Sequence, residues 1–361
     1  MGSISADELR TMFSPLRINV DIIIGYGAAS IVYSGVSTRD QRKLAIKVPS
    51  RVEHEPYFMK EIETLKVIKK AGGNTGITDL LMSRPIEEGI PFMIFHQYGP
   101  SLFDAMRETN RTISPDHILQ MTRMLLQAID FMHCEVKYLH GDIKPENILL
   151  KDQRYLQSTN FSPEIVVIDL GSAVSLDNYK AMQNVNQALI GTKPYQAPEQ
   201  TMRLALTEKI DVWALGCTIF ELYRGWPLFQ HNGLEEHLVI LQWLFQRSIP
   251  STMLFEYYRR NVKPVDSDEL DPPPEKRAKT GTPDYDAIYT TNCDLPIPQQ
   301  AMIDGLKAIH YGPEIDLIRY LGIPRSDEEE IVHKLIIETL KILPVCRPSL
   351  RELLRDFFNS V

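Results

Sequence analysis

His140-Gly141-Asp142-Ile143-Lys144-Pro145-Glu146-Asn147, followed by Val166-Val167-Ile168-Asp169-Leu170-Gly171, is the stretch on which the reading of this chain turns. The spacing sets a carboxylate, an ammonium, an amide and a second carboxylate in a constrained order. Asp142 is placed to accept or orient the proton of an acceptor hydroxyl. Lys144 is a cation for charge that develops on a moving group, and Asn147 with Asp169 offers the hard oxygens that suit Mg²⁺. The bland alternative, polar residues merely decorating loops, leaves that order unexplained.

Working upstream, Gly25-Tyr26-Gly27-Ala28-Ala29-Ser30-Ile31-Val32 lies between two strand-like runs. Paired glycines let a backbone fold closely over phosphate oxygens, where a Cβ would obstruct. Ser30 stands where a third glycine is expected, and a tight hairpin with no ligand would read the same way. Ala45-Ile46-Lys47-Val48 follows on the next strand, with Lys47 set to bridge α- and β-phosphates and to pair with an acid of the following helix. Glu61 is the best such acid because it precedes Ile62 on the inner side, with Glu55 and Glu63 as alternatives.

Downstream, Gly191-Thr192-Lys193-Pro194-Tyr195-Gln196-Ala197-Pro198-Glu199 closes a long segment that begins at Asp169. Thr192 is expected to hydrogen-bond near Asp142 and Lys144, and Glu199 to pair with Arg347 of Arg347-Pro348-Ser349. Asp211, opening an apolar run with Val212 and Trp213, is expected to tie down the backbone around Asp142.

The local patterns frame these motifs. Leu16, Ile18, Val20, Ile22 and Ile24 alternate with Arg17, Asn19 and Asp21, the period of a half-buried strand. Further strands are read at 31–36, 43–48 and 91–96. A helix is read over 55–71, with Phe58, Ile62, Leu65 and Ile68 on one face and Gly72-Gly73 as its stop. The rest is mostly helical. Ser114-Pro115 starts a helix to about 133, residues 207–223 form a nearly all-apolar buried helix ended by Gly225, and Ser349-Leu350-Arg351-Glu352 is a capping box. This gives an α+β chain with a polar lead at 1–15, a strand-rich lobe at 16–97 and a mainly helical lobe at 98–361. An insert spans 228–310, within which the Pro- and Asp-rich stretch 263–300 is expected to be flexible.

The bulk numbers fit one two-lobed globular protein: 361 residues, 43% hydrophobic and 24% charged. A net charge of −8 argues against broad nucleic-acid binding. No run is long and apolar enough to cross a bilayer, and no signal-peptide core opens the chain. Cys134, Cys217, Cys293 and Cys346 are widely spaced, which points to a reducing compartment rather than a disulfide framework or zinc site.

Together these motifs resemble the protein kinase superfamily over residues 18–358. Within it the chain is similar to the kinases of serine/arginine-rich splicing factors and to the related LAMMER kinases, both of one group, CMGC. Ser30 for the third glycine, the catalytic loop without its usual Arg, and Leu170 for Phe carry the first likeness. Tyr223-Arg224-Gly225, Leu228-Phe229-Gln230, Ile249-Pro250-Ser251 and a degenerate LAMMER segment starting Glu236-His237-Leu238 carry the second.

The resemblance implies a bilobal kinase fold, an antiparallel sheet with one helix packed against a larger helical lobe. It implies ATP and Mg²⁺ as cofactors and a protein substrate bearing Ser or Thr, of the Arg/Ser-rich class. It assigns catalysis to Asp142, Lys144, Lys47, Glu61 and Thr192. Nucleotide contact falls to Gly25, Gly27, Ser30, Val32, Ala45, Lys47, Asn147 and Asp169 with the hinge residues Phe95, Gln97 and Tyr98, and the metal to Asn147 and Asp169. A monomer in cytoplasm, nucleus or both is expected, with no membrane and no direct nucleic-acid partner. Gln196, where the group usually carries Arg, departs from the pattern at the pocket beyond the phosphorylated residue.

Gly141 has a regulatory consequence. An Arg before the catalytic Asp commonly needs an activation-segment phosphate to settle its charge, so Gly141 predicts activity without that phosphate. The cluster Glu275-Lys276-Arg277-Ala278-Lys279 is a candidate nuclear-import signal, although such clusters are common by chance, and Asp327-Glu328-Glu329-Glu330 is read as capping the helix that follows. Two rival readings are a pseudokinase scaffold and a small-molecule phosphotransferase of similar fold. The first would be favoured by loss of Lys47, Asp142, Asn147 or Asp169, and all four are present. The second lacks a long segment ending in Ala-Pro-Glu, which Asp169 to Glu199 supplies.

Overall fold

The computed structural model describes residues 6–27, 29–51, 54–85, 89–108, 113–152, 162–177, 190–245, 249–261 and 317–359. The stretch 263–300, the basic cluster at 275–279 and Cys293 lie outside the described residues.

The small lobe is a five-stranded antiparallel sheet of β1 (Ile18–Tyr26), β2 (Ser30–Ser37), β3 (Lys43–Pro49), β4 (Met82–Arg84) and β5 (Phe92–His96), in the order β1-β2-β3-β5-β4. The period of 2 splits its side chains between two faces. Tyr33, Leu44, Ile46 and Ile94 form one core, while Met93 and Phe95 join the main core on the other side. Register pairs Val32 with Lys47 and Ala45 with Phe95, so these residues share the inner face.

β1 is less buried than its alternation predicts. Ile22, Ile23 and Ile24 are exposed, because the pairing with β2 shifts register twice between Val20 and Gly25. Ser34 Oγ occupies that irregularity, accepting from Ile22 N–H and donating to Ile22 O, each at 3.2 Å.

The polar lead is also more ordered than its composition suggests. It forms α1 (Ala6–Phe13), whose Leu9 and Phe13, four residues apart, are fully buried in the outer core of the sheet. Phe13 meets Phe92 edge-on at 4.9 Å. Helix α2 (Glu55–Lys70) buries Phe58, Ile62, Leu65 and Ile68 on its inner face, and the chain leaves it through Gly72 and Gly73 at positive φ.

The large lobe is built on α3 (Leu102–Glu108) and α4 (Pro115–Phe131). Short strands β6 (Tyr138–Leu139), β7 (Ile148–Leu150), β8 (Ile165–Val167) and β9 (Val174–Ser175) pair as β6-β9 and β7-β8. Ser114 caps α4 by accepting from His117 N–H. A short helix α5 (Pro198–Thr201) precedes α6 (Lys209–Arg224), buried over 210–222 and closed by Gly225 at φ 84°. The remaining helices are α7 (Leu234–Phe245), α8 (Ser251–Asn261), α9 (Leu317–Leu321), α10 (Asp327–Thr339) and α11 (Leu350–Phe358). Ser326 caps α10, with Glu329 on Arg325 and Glu330 on Lys334, so this acidic run is spent on the helix. Ser349 and Glu352 form the capping box of α11.

Candidate active site

Residues from both lobes converge where β3 and α2 face the loops around Asp142 and Asp169. Lys47 leaves β3 toward Glu61 of α2, its Nζ lying 2.7 and 2.6 Å from the two carboxylate oxygens and 3.0 Å from Asp169 Oδ1. Glu61, the acid favoured from the sequence, is in contact with it. Burial alone would lower the Lys47 ammonium, but the carboxylates of Glu61 and Asp169 outweigh it and hold its pKa above the usual lysine value. The charge of Lys47 in turn holds Asp169 below the ordinary carboxylate range against its own burial.

Asp142 sits among three donor side chains. Thr192 Oγ1 donates to its Oδ1 at 2.7 Å, Lys144 Nζ lies 2.8 Å from its Oδ2, and Asn147 Nδ2 donates to both its Oδ2 (3.1 Å) and its carbonyl (2.8 Å). Lys144 also donates to Thr192 Oγ1 at 2.7 Å, closing a ring of three side chains. His140 receives Asp142 N–H on Nδ1 and therefore carries its proton on Nε2, which donates to Ile168 O at 3.2 Å. One histidine thus ties the Asp142 loop to the strand end before Asp169.

The frame beneath is Asp211. It accepts from His140 N–H (2.8 Å) and Gly141 N–H (2.9 Å), and His133 Nε2 lies 2.8 Å from its Oδ2. Burial raises this carboxyl, yet the bonds from His133 and the loop amides hold it below the usual range. Sequence reading missed His133, which is brought to Asp211 only by the turn of π-helix at the end of α4.

The groups present fit a divalent cation. Asn147 spends its amide N–H on Asp142, which leaves its carbonyl oxygen, and Asp169 has a second carboxylate oxygen beyond the one on Lys47. Gly25 and Gly27 lie at the β1–β2 turn, where Gly27 N–H donates to Ser30 O at 2.8 Å. The side chain of Ser30 is turned onto Gly27, and a Cβ built there would meet Ser30 Oγ at 3.0 Å. At the hinge, Phe95 is buried on β5, Gln97 N–H donates to Lys43 O and Gly99 N–H to Leu150 O. The phenol of Tyr98, raised by burial, is turned to Thr78 and the Asp79 backbone, so this residue offers a ligand its main chain rather than its ring.

Two further carboxyls face the turn that follows Thr192. Tyr195 donates to Glu221 Oε2 at 2.6 Å, and the exposed Glu146 of the catalytic loop lies near both. Burial, reinforced by Glu146 and opposed by the Tyr195 hydrogen bond, pushes Glu221 from 4.5 up to about 7. A carboxyl whose pKa rises on folding stabilises the fold fully below about pH 4.5, and that contribution fades as pH rises through about 7. Glu221→Gln is therefore expected to gain stability relative to the parent chain as pH rises across this window. Denaturant unfolding of both chains over about pH 5 to 8 measures it, and parallel curves would contradict the expectation.

The protein kinase domain family matches residues 18–358. Dual specificity protein kinase CLK4 of Homo sapiens is 28% identical over 270 residues, which are 68% of this chain and 54% of that protein. Probable serine/threonine-protein kinase clkA of Dictyostelium discoideum is 28% identical over 290 residues, 70% of this chain and 30% of that one. The chain thus spans about half the length of the human relative and less of the other. A crystal structure of a kinase domain covers 96% of each chain with a TM-score of 0.70 at 23% identity, a likeness of fold. Among the described residues no helix is long and apolar enough to cross a membrane.

Proposed function

The chain belongs to the protein kinase family, and from that premise we propose that it is an ATP-dependent serine/threonine kinase of Arg/Ser-rich proteins. The observation that carries this is Asp142 held by Thr192, Lys144 and Asn147, and linked through His140 and Ile168 to the neighbouring set of Asp169, Lys47 and Glu61.

Asp142 accepts or orients the proton of the acceptor hydroxyl, with its carboxylate fixed in direction before the substrate arrives. Lys144 and Thr192 hold that carboxylate, and Lys144 presents positive charge to the transferring group. Lys47, kept charged and aimed by Glu61, takes the phosphates from the β3 side. Asn147 and Asp169 would hold Mg²⁺, which, when bound with ATP, neutralises phosphate charge. Val32, Ala45 and Phe95 line the inner face of the sheet, and the main chain between His96 and Gly99 offers the hinge bonds.

The substrate class is supported by the exposed carboxyl of Glu146 near the turn after Thr192, which pairs with no cation among the described residues and which a substrate guanidinium would pair with. A monomer in cytoplasm, nucleus or both completes the reading. A positional peptide library incubated with MgATP tests it: preference for Ser flanked by Arg supports the assignment, and preference for Ser-Pro or acidic flanks rejects it.

Control by activation-segment phosphate is not expected. Gly141 holds φ +82°, and a Cβ there would stand 2.8 Å from Ser172 O. Gly191, at φ +84°, packs so that its own Cβ would stand 2.9 Å from Gly141 O. Close backbone packing thus fills the region, and neutral amides hold the segment end. Gln196 and Gln200 each donate to Ile190 O at 3.0 Å, while Gln200 accepts from Ala197 N–H at 2.7 Å. Phosphatase-treated protein is expected to keep most of its turnover, measured as phosphate transfer before and after treatment, and loss of nearly all of it would contradict this.

A further inference from the structure

The degenerate LAMMER segment contributes no group to the chemistry above, yet its His237 belongs to a buried cluster with Phe229, His231 and Thr201. His237 of α7 is fully buried. Its ring lies parallel to that of His231, with centroids 4.2 Å apart and planes 6° apart. Phe229 meets His237 edge-on at 5.2 Å and stacks on Trp213 of α6 at 5.3 Å, so the pair is anchored in the core of the large lobe. Thr201 spends its hydroxyl hydrogen on Ala197 O (3.4 Å) and is left to accept from His237 Nδ1–H at 2.8 Å.

From this anchor the cluster reaches one residue, Lys193, at two points. His231 Nε2 lies 3.0 Å from Lys193 O, a contact that requires the proton on Nε2. Lys193 Nζ donates back to Asn232 O at 2.9 Å. Asn232 is itself pinned by Glu236, whose Oε2 accepts its N–H at 2.6 Å and its side-chain amide at 3.1 Å. Lys193 directly follows Thr192, whose hydroxyl bonds Asp142 and Lys144, and the same short turn ends at Tyr195 on Glu221.

We infer that His231 is a positioning residue for the protein substrate: stacked on His237, it fixes the Lys193–Tyr195 turn from its outer side by hydrogen-bonding Lys193 O. The inner side of the turn is already held by Thr192 and Tyr195. Without that bond the outer side is held only by the flexible Lys193 side chain on Asn232 O, and the backbone of the turn is looser where a peptide passes the acceptor hydroxyl, while Lys47, Asn147 and Asp169 are untouched. Burial lowers both histidines, which suits a pair of neutral rings in contact beside the Lys193 ammonium. The inference deepens the kinase reading and rests on it.

Two variants separate the hydrogen bond from the stack. His231→Phe keeps a ring against His237 and loses the donor, whereas His231→Gln keeps a donor at similar reach and loses the ring. The measurements are KM for MgATP and for the best peptide of a Ser library, kcat, and the thermal midpoint of each chain. His231→Phe is expected to raise the peptide KM about fivefold, the scale of one lost hydrogen bond, with the KM for MgATP unchanged. His231→Gln is expected to stay within about twofold of the parent chain. The reverse order, with Phe harmless and Gln damaging, would assign His231 to packing alone and overturn the inference, as would equal shifts in both KM values. Absence of any transfer by the parent chain would overturn the kinase reading and this inference with it.

Discussion

Asp142→Asn is expected to lower kcat by about 10²- to 10⁴-fold, the range for loss of a positioned general base. The amide is nearly isosteric but has one oxygen, which can keep either the Thr192 bond made to Oδ1 or the Lys144 and Asn147 bonds made to Oδ2. What it loses is the charge and one of the two acceptor oxygens. MgATP affinity is expected to change little, because Lys47, Glu61 and Asp169 keep their bonds to one another and Asn147 Nδ2 keeps its bond to the backbone carbonyl of residue 142. Steady-state kinetics with a direct nucleotide-binding titration separate the two quantities. A variant that keeps its turnover, or that loses MgATP binding in parallel, would contradict the role.

The second large effect falls on stability. Arg347 is wholly buried, and its guanidinium uses every donor it has. Two nitrogens meet both oxygens of Glu199, at 2.5 and 2.8 Å, and the remaining bonds go to the carbonyls of Lys341, Lys209 and Ile342. Its charge also lies over the Trp213 ring at 4.9 Å. Arg347→Ala leaves Glu199 as an uncompensated buried charge and strips three carbonyls of their partners. The expected cost is about 3–5 kcal/mol. Denaturant or thermal unfolding reads it directly, and a loss under about 1 kcal/mol would place the pair with surface bridges instead. Lys would not rescue this site, since one ammonium cannot reach both carboxylate oxygens and three diverging carbonyls.

The residues of the candidate site were legible as motifs because their spacing is local and their order along the chain is constrained. The 140–147 loop, the strand end at Asp169 and the Lys47 strand were each visible as short motifs. So were the helix faces, where Phe58, Ile62, Leu65 and Ile68 recur at helical spacing and are all buried. Caps at Ser114 and Ser349 read correctly because a cap bonds only within its own first turn.

What the sequence hid is tertiary. Leu9 and Phe13 form only one i, i+4 pair in a polar stretch, too little to mark a packed helix until the sheet beneath them is known. Ile22 and Ile24 alternate as a half-buried strand should, but two register shifts expose them. His133 on Asp211, Tyr195 on Glu221 and His231 on Lys193 join residues separated by 78, 26 and 38 positions, and no local pattern announces such pairs. The side-chain direction of Tyr98 was equally unreadable, since it depends on where Thr78 and Asp79 come to rest.

The central claim is that this assembly moves the γ-phosphate of ATP to a protein hydroxyl. Its most direct measurement is transfer of labelled γ-phosphate from MgATP to a degenerate Ser/Thr peptide library by the purified chain, with Asp142→Asn as the blank. Label in peptide Ser or Thr, well above that blank, is the predicted result. MgATP binding with no transfer above the blank would contradict the account and identify the fold as a nucleotide-binding scaffold.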